Sequence, residues 1–269
     1  MRPSTLIQSI GSTIFYELHR GDVLKKFGPK YVIGQLEGKK SQLQTKPGQL
    51  TKVPYGEASA FQGWHSPYFN ESHHRFKKEL RKFMEEVVMP EGSVHEQTGE
   101  HPTPEMFLKS GEFGLLAARI GPGAHLQGRQ LPGGVKPEEF DYFHEMIAHE
   151  EMAQMGLPGY ADGLGCGMVI GLPPVMHFGA PEVKRRVLEE VLSGKKRICL
   201  SITEPFVGSD VAGIQATAVK TPDGKHYIVN GLKKWITNGH FAEYFTTAVR
   251  TGGPGMNGTR HVKKSLIFR

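Results

Sequence analysis

The spacing of apolar residues changes at Gly194, and this change constrains the fold more than any other feature of the chain. Upstream, apolar side chains recur at the three- and four-residue spacing of helices, whereas downstream they fall in short alternating or β-branched runs. The order predicts an α+β fold, in which an all-α helical domain is followed by an antiparallel β-barrel-like domain. The lack of a βαβ alternation argues against a Rossmann fold. The expected strands are 197–202, 213–220, 226–229, 231–234, 244–249 and 265–268, with hairpin turns at 222–224 and 230–231.

Local start and stop signals divide the helical part into five predicted helices. Asn70 or Ser72 is suited to cap the first helix, and Pro90 is expected to end it. Proline in the first turn is favourable, which indicates further helices at Thr103-Pro104 and at Pro181. The five helices are expected to begin at Asn70, at Thr103, near Pro137, at Leu164 and at Pro181.

Composition divides the chain into four parts. Residues 1–36 form a short unit that cannot bury its apolar face alone, and 37–67 are a linker rich in Gly, Lys, Gln, Ser and Pro. Residues 68–195 are the helical domain and 196–269 the β domain. Because the last residues, up to Arg269, read as a strand, we expect an incomplete β domain in a shortened protein.

Charge and cysteine content narrow the class of protein. The net charge is +6, from 33 Lys and Arg against 27 Asp and Glu, and the basic residues are spread out without aromatic interleaving. Nucleic acid is therefore not an expected partner, whereas an anionic ligand such as a nucleotide phosphate suits the mild positive balance. No apolar run reaches the roughly 18 residues of a membrane span, and the N-terminus lacks a secretory signal. Cys166 and Cys199 are expected to be free thiols, and a cytoplasmic location is favoured without excluding a mitochondrion or peroxisome.

Residues 200–237 hold the chemistry-bearing motifs. Hydroxyls at Ser201, Thr203 and Ser209 lie around an apolar strand and a turn with outward backbone N–H groups. Trp235 offers a large apolar face, and Thr237 is expected two residues along the same strand, on the same side. This set suits a planar, polar heterocycle with a phosphate-linked tail. A plain alternative is a set of turn residues around a packed tryptophan.

The same residues resemble the signatures of the acyl-CoA dehydrogenases, a flavoenzyme family. Residues 203–211 are similar to T-E-P-x-A-G-S-D, with Val207 in place of the usual alanine, and 230–239 look like the second signature. The similarity extends from about Phe69 to Arg269. It implies a helical N-terminal domain, a middle β domain and bound FAD. The resemblance assigns the flavin to Leu200, Ser201, Ile202, Thr203, Gly208, Ser209, Trp235, Ile236 and Thr237, and the acyl-CoA substrate also to Ser209.

The family's reaction removes hydrogen from the α and β carbons of an acyl-CoA, with hydride passing to flavin N5. The resemblance implies that the proton-abstracting carboxylate comes from a C-terminal helical domain, which also completes the subunit interface of a homo-oligomer. This chain ends before such a domain, and the place of Glu204 in the signature is structural, so we expect no catalytic base and a poor catalyst. An acyl-CoA oxidase-like enzyme and a non-catalytic flavin- or acyl-CoA-binding remnant stay open as alternatives. Neither the electron acceptor nor the acyl chain length follows from the sequence.

Histidines are not expected to hold a metal. The segment from Phe15 to Gly34 resembles the last third of a cytochrome b5-like haem domain, in which His19 matches the second axial ligand, but a first ligand is absent. His19 is therefore at most a vestigial haem ligand. For His73 and His74, the sequence does not identify a third metal ligand. His144, Glu145, His149, Glu150 and Glu151 are expected to form a solvated helix face.

Overall fold

A computed structural model describes residues 46–51, 55–253 and 266–268. The predictions for residues 1–36, including the cytochrome b5-like segment and His19, lie outside the described residues. The helices are α1 (Glu71–Phe83), α2 (Met89–Thr98), α3 (Pro104–Glu112), α4 (Leu115–Ala118), α5 (Tyr142–Gln154), α6 (Pro158–Phe178) and α7 (Pro181–Leu192). The strands are β1 (Ile198–Ser201), β2 (Thr217–Lys220), β3 (Tyr227–Asn230), β4 (Tyr244–Thr247) and β5 (Leu266–Phe268). Helices precede strands, which confirms the predicted order.

Helix α1 begins where the capping signal predicted, but Pro90 does not end the helical path. Asn70 caps α1 by accepting a hydrogen bond from the Ser72 backbone N–H. After α1 the backbone passes through a π turn at Met84–Val88 and continues as α2. Pro90 lies in the first turn of α2, where a missing N–H is tolerated. The π turn thus allows a proline that would otherwise break the helix.

Two other helix starts differ from the predictions, and a local capping side chain explains only the first. Helix α5 begins at Tyr142 rather than near Pro137, because the Asp141 side chain accepts from the backbone N–H groups of Phe143 and His144. Helix α6 begins at Pro158, well before the predicted Leu164, although its later part is as expected. The starts at Thr103 and Pro181 are confirmed, with Thr103 accepting from the Met106 N–H.

A buried charge cluster joins α1 and α5 to the segment before α1. Lys77 and Arg81 meet Glu57 and Glu151, and the side chains of Lys77, Glu57 and Glu151 are fully buried. Lys77 Nζ lies 2.6 Å from Glu151 Oε1, and Arg81 Nη1 lies 2.9 Å from Glu57 Oε1. These four groups are two cations and two carboxylates, and Lys77 Nζ also lies 3.4 Å from Oε2 of the partly exposed Glu150. The predicted solvated face on α5 is therefore wrong at Glu151, whose charge is paired inside the protein, and at His144, which is also buried.

Glycines on α6 allow it to approach the strands closely. A Cβ at Gly167 would lie 2.8 Å from the Ile198 carbonyl oxygen, and one at Gly171 would lie 2.7 Å from the Cys199 carbonyl carbon. Both distances are too short for a side chain, so only glycine permits this helix–strand packing. Thr246 on β4 strengthens the contact by donating from its hydroxyl to the Gly171 carbonyl at 2.7 Å. This packing fixes β1, which leads into the first motif.

The described strands form two small sheets, and one pairing differs from the predicted antiparallel arrangement. Strands β1 and β4 pair in parallel, from Ile198 opposite Tyr244 to Ser201 opposite Thr247, and β5 joins β4 in antiparallel direction. Strands β2 and β3 form the predicted antiparallel hairpin around 222–224. Residues 231–234 are not a strand, and 230–231 make no hairpin turn. After β3 the chain instead runs past the first motif before it forms β4. It re-enters the sheet in the same direction as β1, so β1 and β4 are parallel. None of the helices in the described residues is both long and apolar enough to cross a membrane.

Candidate functional site

The structure brings the two motifs together through Lys233 and Lys234. The backbone N–H of Lys234 donates to the Thr203 carbonyl at 2.9 Å. The ammonium group of Lys233 donates to the Ile202 carbonyl and to Glu204 Oε1, each at 2.8 Å. The segment after β1 and the segment before Trp235 are thus braced side by side. Residues 29 to 31 positions apart in sequence form one surface.

Glu204 is the hub of this brace. Besides Lys233, its carboxylate accepts from the backbone N–H groups of Gln215 at 2.6 Å and Ala216 at 3.0 Å. Burial alone would raise the pKa of Glu204, but the hydrogen bonds from Lys233 and the two amides outweigh it and hold the pKa below its ordinary value. A carboxylate with a lowered pKa and three donors is a poor proton acceptor. Its geometry agrees with the structural role expected for Glu204.

Leu200 and Ser201 lie on β1, and their side chains differ in exposure. Ser201 is buried and Leu200 is half-buried. The Ser201 carbonyl accepts from the Ala248 N–H at 3.0 Å, which continues the pairing with the strand beside it. Ile202 and Thr203, just past the strand end, are half-buried. The path of the strand therefore leaves Thr203 partly exposed, whereas Ser201 is buried.

The turn that follows Glu204 is open to solvent at Gly208 and Ser209. Both residues are exposed, and a Cβ built at Gly208 would meet no atom within 4 Å. The Ser209 carbonyl accepts from the Val211 N–H at 3.0 Å, which shapes the start of a short 3-10 turn at Val211–Gly213. Free space above Gly208 and an exposed hydroxyl beside it suit the approach of a ligand's polar edge.

Trp235 and Thr237 lie on a loop rather than on the expected strand. Trp235 has φ of 59°, in the left-handed region that a residue with a Cβ seldom adopts. Its side chain is 80% exposed, with Lys234 Nζ 4.6 Å from the ring centroid. Thr237 is exposed and Ile236 is half-buried. The assumption that Trp235 and Thr237 alternate along a strand is wrong, and their functional roles stay a prediction.

Asn238 anchors this loop, and sequence reasoning did not single it out. Its side-chain amide donates to the carbonyls of Gly163 at 3.1 Å and Asp162 at 3.4 Å, both on α6. Asn238 also has positive φ, at 66°, a conformation that asparagine tolerates better than most residues. An asparagine before a glycine was the available signal. The loop of Trp235 and Thr237 is therefore tied to the same helix that fixes β1.

A second cluster, away from the motifs, contains a third candidate metal ligand that the sequence did not reveal for the histidines. His73 Nε2 and His144 Nδ1 each lie 2.9 Å from Asp141 Oδ1, and the two rings stack at 3.9 Å. The three groups are close enough to share a metal ion. However, His73 Nδ1 accepts from the Asn70 N–H at 3.0 Å, so its proton is on Nε2 and points at Asp141. The hydrogen bonds thus indicate that His73, Asp141 and His144 cap and connect α1 and α5 rather than form a metal centre.

Comparison with protein families matches two models over most of the described chain. The model described as "Acyl-CoA dehydrogenase, N-terminal domain" matches residues 70–195, and "Acyl-CoA dehydrogenase, middle domain" matches residues 199–267. The junction between the two models, at residues 196–198, falls where the helical part ends and β1 begins.

Curated relatives include two fungal proteins. An acyl-CoA dehydrogenase of Emericella nidulans is 44% identical over 215 residues, which cover 78% of this chain and 49% of that protein. An acyl-CoA dehydrogenase of Alternaria alternata is 40% identical over 209 residues, which cover 77% and 48%. The chain spans about half the length of these relatives.

Solved structures show the same likeness. An acyl-CoA dehydrogenase of Bacillus anthracis, complexed with FAD, matches with a TM-score of 0.57 and 29% identity over 69% of this chain and 30% of that chain. A putative acyl-CoA dehydrogenase of Mycobacterium smegmatis matches with a TM-score of 0.57 and 33% identity over 72% and 47%.

Proposed function

The chain belongs to the acyl-CoA dehydrogenase family, and from this premise we propose that it binds FAD and an acyl-CoA thioester at the braced motifs. The reaction class is α,β-dehydrogenation of the thioester. The observation that carries the proposal is the brace itself, through which Lys233 and Lys234 join the two motifs into one exposed surface.

The residues of this surface fit a planar cofactor with a polar rim. Trp235 presents a largely exposed aromatic ring with Lys234 Nζ 4.6 Å from its centroid, while Thr237, Ser209 and the open space above Gly208 provide hydroxyls and room. A strained backbone at an exposed tryptophan favours a functional role for that residue over a packing role. Bound FAD supplies a hydride acceptor at its N5.

Each residue has an assigned task in the proposal. Thr203, Thr237 and backbone groups of 200–209 hold the polar edge of the flavin, and donors at that edge stabilise the charge that develops during transfer. Trp235 packs beside the ring and excludes water from one side. Ser209 binds the phosphate or pantetheine part of the thioester. Glu204 and Lys233 position the two motifs and take no part in proton transfer.

The proton-abstracting base is not Glu204. Its carboxylate is buried, already accepts three hydrogen bonds and has a lowered pKa, so it neither reaches the surface nor binds a proton readily. We propose that the base is not supplied by the two motifs, so substitutions at Glu204 should not act on turnover through loss of a proton acceptor.

Absorbance spectroscopy tests the proposal directly. The purified chain is mixed with FAD, desalted and scanned, and Trp235→Ala and Thr237→Ala are compared with the matched surface variant Lys225→Ala on the exposed hairpin. We expect a yellow protein, weaker flavin retention in the first two variants and none of this loss in the third. A colourless protein at saturating FAD would contradict flavin binding.

Anaerobic addition of an acyl-CoA separates the remaining alternatives. Perturbation of the flavin spectrum without bleaching supports a binding chain that lacks its base. Bleaching supports a complete dehydrogenase, and bleaching followed by rapid return of colour and peroxide on admitting oxygen supports an oxidase-like enzyme.

A further inference from the structure

A cavity between the end of α2, the start of α6 and the motif loop, residues 235–241, is lined by imidazoles and carboxylates. Its volume is about 260 Å³, and it opens to solvent. None of the described residues in its lining is a lysine or an arginine, although the chain has a net charge of +6. The cavity therefore favours a cation over an anion. Its titratable residues are His95, Glu96, Glu100, His101, Asp162 and His240.

Two of the three carboxylates already accept hydrogen bonds from protein donors. Glu96 accepts from two backbone N–H groups at the start of α6, and Asp162 accepts from the Cys166 thiol. The Glu100 side chain is instead 66% exposed, and it lies beside His95. Glu100 is thus the carboxylate of this cavity that is most available to a bound cation.

The tautomer of His95 directs a lone pair toward Glu100. His95 Nδ1 lies 3.0 Å from the His101 carbonyl oxygen, which only accepts, so Nδ1 carries the proton. In the neutral ring Nε2 is then an acceptor, and it lies 3.3 Å from Glu100 Oε2, which is also an acceptor. Two acceptors at this distance require a proton or a metal ion between them. A ring that donates to a backbone carbonyl and presents its other nitrogen is the arrangement typical of metal-ligating histidines.

His101 has the same tautomer and faces a third imidazole. Its Nδ1 lies 3.1 Å from the Pro102 carbonyl oxygen, so this nitrogen donates and Nε2 is left as an acceptor. The ring centroids of His101 and His240 are 5.8 Å apart. Two imidazoles that bind one tetrahedral zinc ion have centroids roughly 5 Å apart. This second pair is therefore close to the spacing of two ligands on one ion.

The two pairs line one cavity without forming a closed group of ligands. Among the described residues, the one group of three candidate ligand atoms within 4.8 Å of one another is the cluster around Asp141. Closure around an ion requires Glu100, His101 and His240 to rotate their side chains. All three residues are exposed, and exposed side chains change rotamer within nanoseconds.

We propose that this cavity is a Zn²⁺ site. Imidazole and carboxylate are both ligands that Zn²⁺ accepts in four-coordinate sites. The ligands are His95, Glu100, His101 and His240. Because His240 belongs to the motif loop and the other three residues lie at the end of α2 and just after it, the ion joins this loop to the helical region. The site does not depend on the proposed function, since none of its ligands is assigned to flavin or thioester.

Isothermal titration calorimetry of the tag-free chain with zinc chloride tests the site. We expect one Zn²⁺ ion per chain and no comparable binding of Mg²⁺, which prefers oxygen ligands. His95→Gln and His240→Gln should each weaken Zn²⁺ binding by about tenfold or more, because even the loss of a group that only supports a ligand has an effect of this size. The matched control is His226→Gln, at an exposed position on the β2–β3 hairpin, which should leave the affinity unchanged.

His144→Gln separates this cavity from the cluster around Asp141. It should leave the Zn²⁺ affinity unchanged. An affinity that falls in His144→Gln but not in His240→Gln would overturn the proposal. Equal affinity in all variants would also overturn it, because the binding would then be adventitious. No Zn²⁺ binding at all would show that a proton alone bridges His95 and Glu100.

Modification by diethyl pyrocarbonate uses only the unsubstituted chain, so it does not depend on the variants folding. Its rate at each histidine is measured by mass spectrometry of peptides, with and without Zn²⁺. We expect Zn²⁺ to slow the modification of His95, His101 and His240 several-fold, while His226 keeps its rate. Unchanged rates at the first three histidines would contradict the site even if calorimetry detects bound Zn²⁺.

Discussion

The helical and β regions place their polar groups in opposite ways. In the helical region, the buried charge cluster pairs Lys77 and Arg81 with Glu57 and Glu151 inside the protein. In the β region, one buried hub, Glu204, holds the backbone together, while Ser209, Trp235 and Thr237 face outward. Internal pairing contributes to stability and specifies the packing, whereas outward groups are available to a ligand. We therefore expect substitutions in the first region to change unfolding and those in the second to change binding.

The largest effect is expected at Lys77. Lys77→Met removes one of two cations from the buried charge cluster and leaves a carboxylate uncompensated. Breaking a buried ion pair in this way costs about 3–5 kcal/mol of unfolding free energy, which urea denaturation measures. The control is Lys109→Met, whose pair with Glu105 is exposed and should leave the urea midpoint unchanged. Equal midpoints for both variants would show that the cluster does not stabilise the fold.

The next effect is expected at the junction between the regions. Gly171→Ala forces a methyl group against the backbone of Cys199, and such overpacking typically costs about 1–3 kcal/mol. Because α6 also anchors Asn238, flavin retention should weaken together with stability. Ile170→Ala, at a 45% exposed position on the same helix, serves as the control. A stable Gly171→Ala protein with normal flavin retention would show that the two regions are not mechanically coupled here.

A smaller effect is expected on the pH dependence of stability, through the contact of His73, Asp141 and His144 between α1 and α5. Burial, the largest cause, lowers the pKa of His144 below its ordinary 6.5, whereas the Asp141 hydrogen bond opposes this. Because the folded-state pKa is depressed, the stability from neutral His144 is present above 6.5 and is lost as the pH falls below it. Urea unfolding at about pH 7.5 and about pH 5 should show a smaller acid loss for His144→Gln than for the unsubstituted chain. The exposed control His226→Gln should show the full loss, and an equal loss in all three chains would contradict the assignment.

The smallest change in stability, and the sharpest separation of the regions, is expected at Trp235. Glycine accepts positive φ without strain, so Trp235→Gly should change stability by less than about 1 kcal/mol, in either direction. Flavin retention should nevertheless fall strongly, because the exposed ring is lost. Thermal unfolding and the visible spectrum measure the two effects on one sample. A large loss of stability would mean that Trp235 packs as a core residue, which would undo the contrast between the regions.

Features with local causes were predictable from the sequence, and features with distant causes were not. The starts of α1, α3 and α7 follow from Asn70, Thr103 and Pro181, because side-chain capping and the preference for proline in the first turn both act within one turn. The prediction that Pro90 ends the first helix was wrong, because the π turn before it has no sequence signature of comparable strength. The order of helices and strands also followed from periodicity alone.

The candidate functional site likewise combines local features that were predictable with distant contacts that were not. The motifs at 200–209 and 235–237 were found from their residues, but the brace through Lys233 depends on contacts across about thirty positions. The partner of His73 was missed because Asp141 lies 68 residues away. The exposure of Trp235 and its left-handed backbone depend on the loop anchored by Asn238, which alternation along a strand cannot predict.

The parallel pairing of β1 and β4 has a consequence for synthesis on the ribosome. Helices α1 to α7 are complete before β1 leaves the exit tunnel, so the helical region can collapse while the chain is still growing. Among the described strands, β1 pairs only with β4, so it has no strand partner until Tyr244 to Thr247 have been translated. An unpaired strand edge attracts other chains. The interval between translation of β1 and β4 is therefore when a nascent chain of this protein is most exposed to aggregation and most in need of a chaperone.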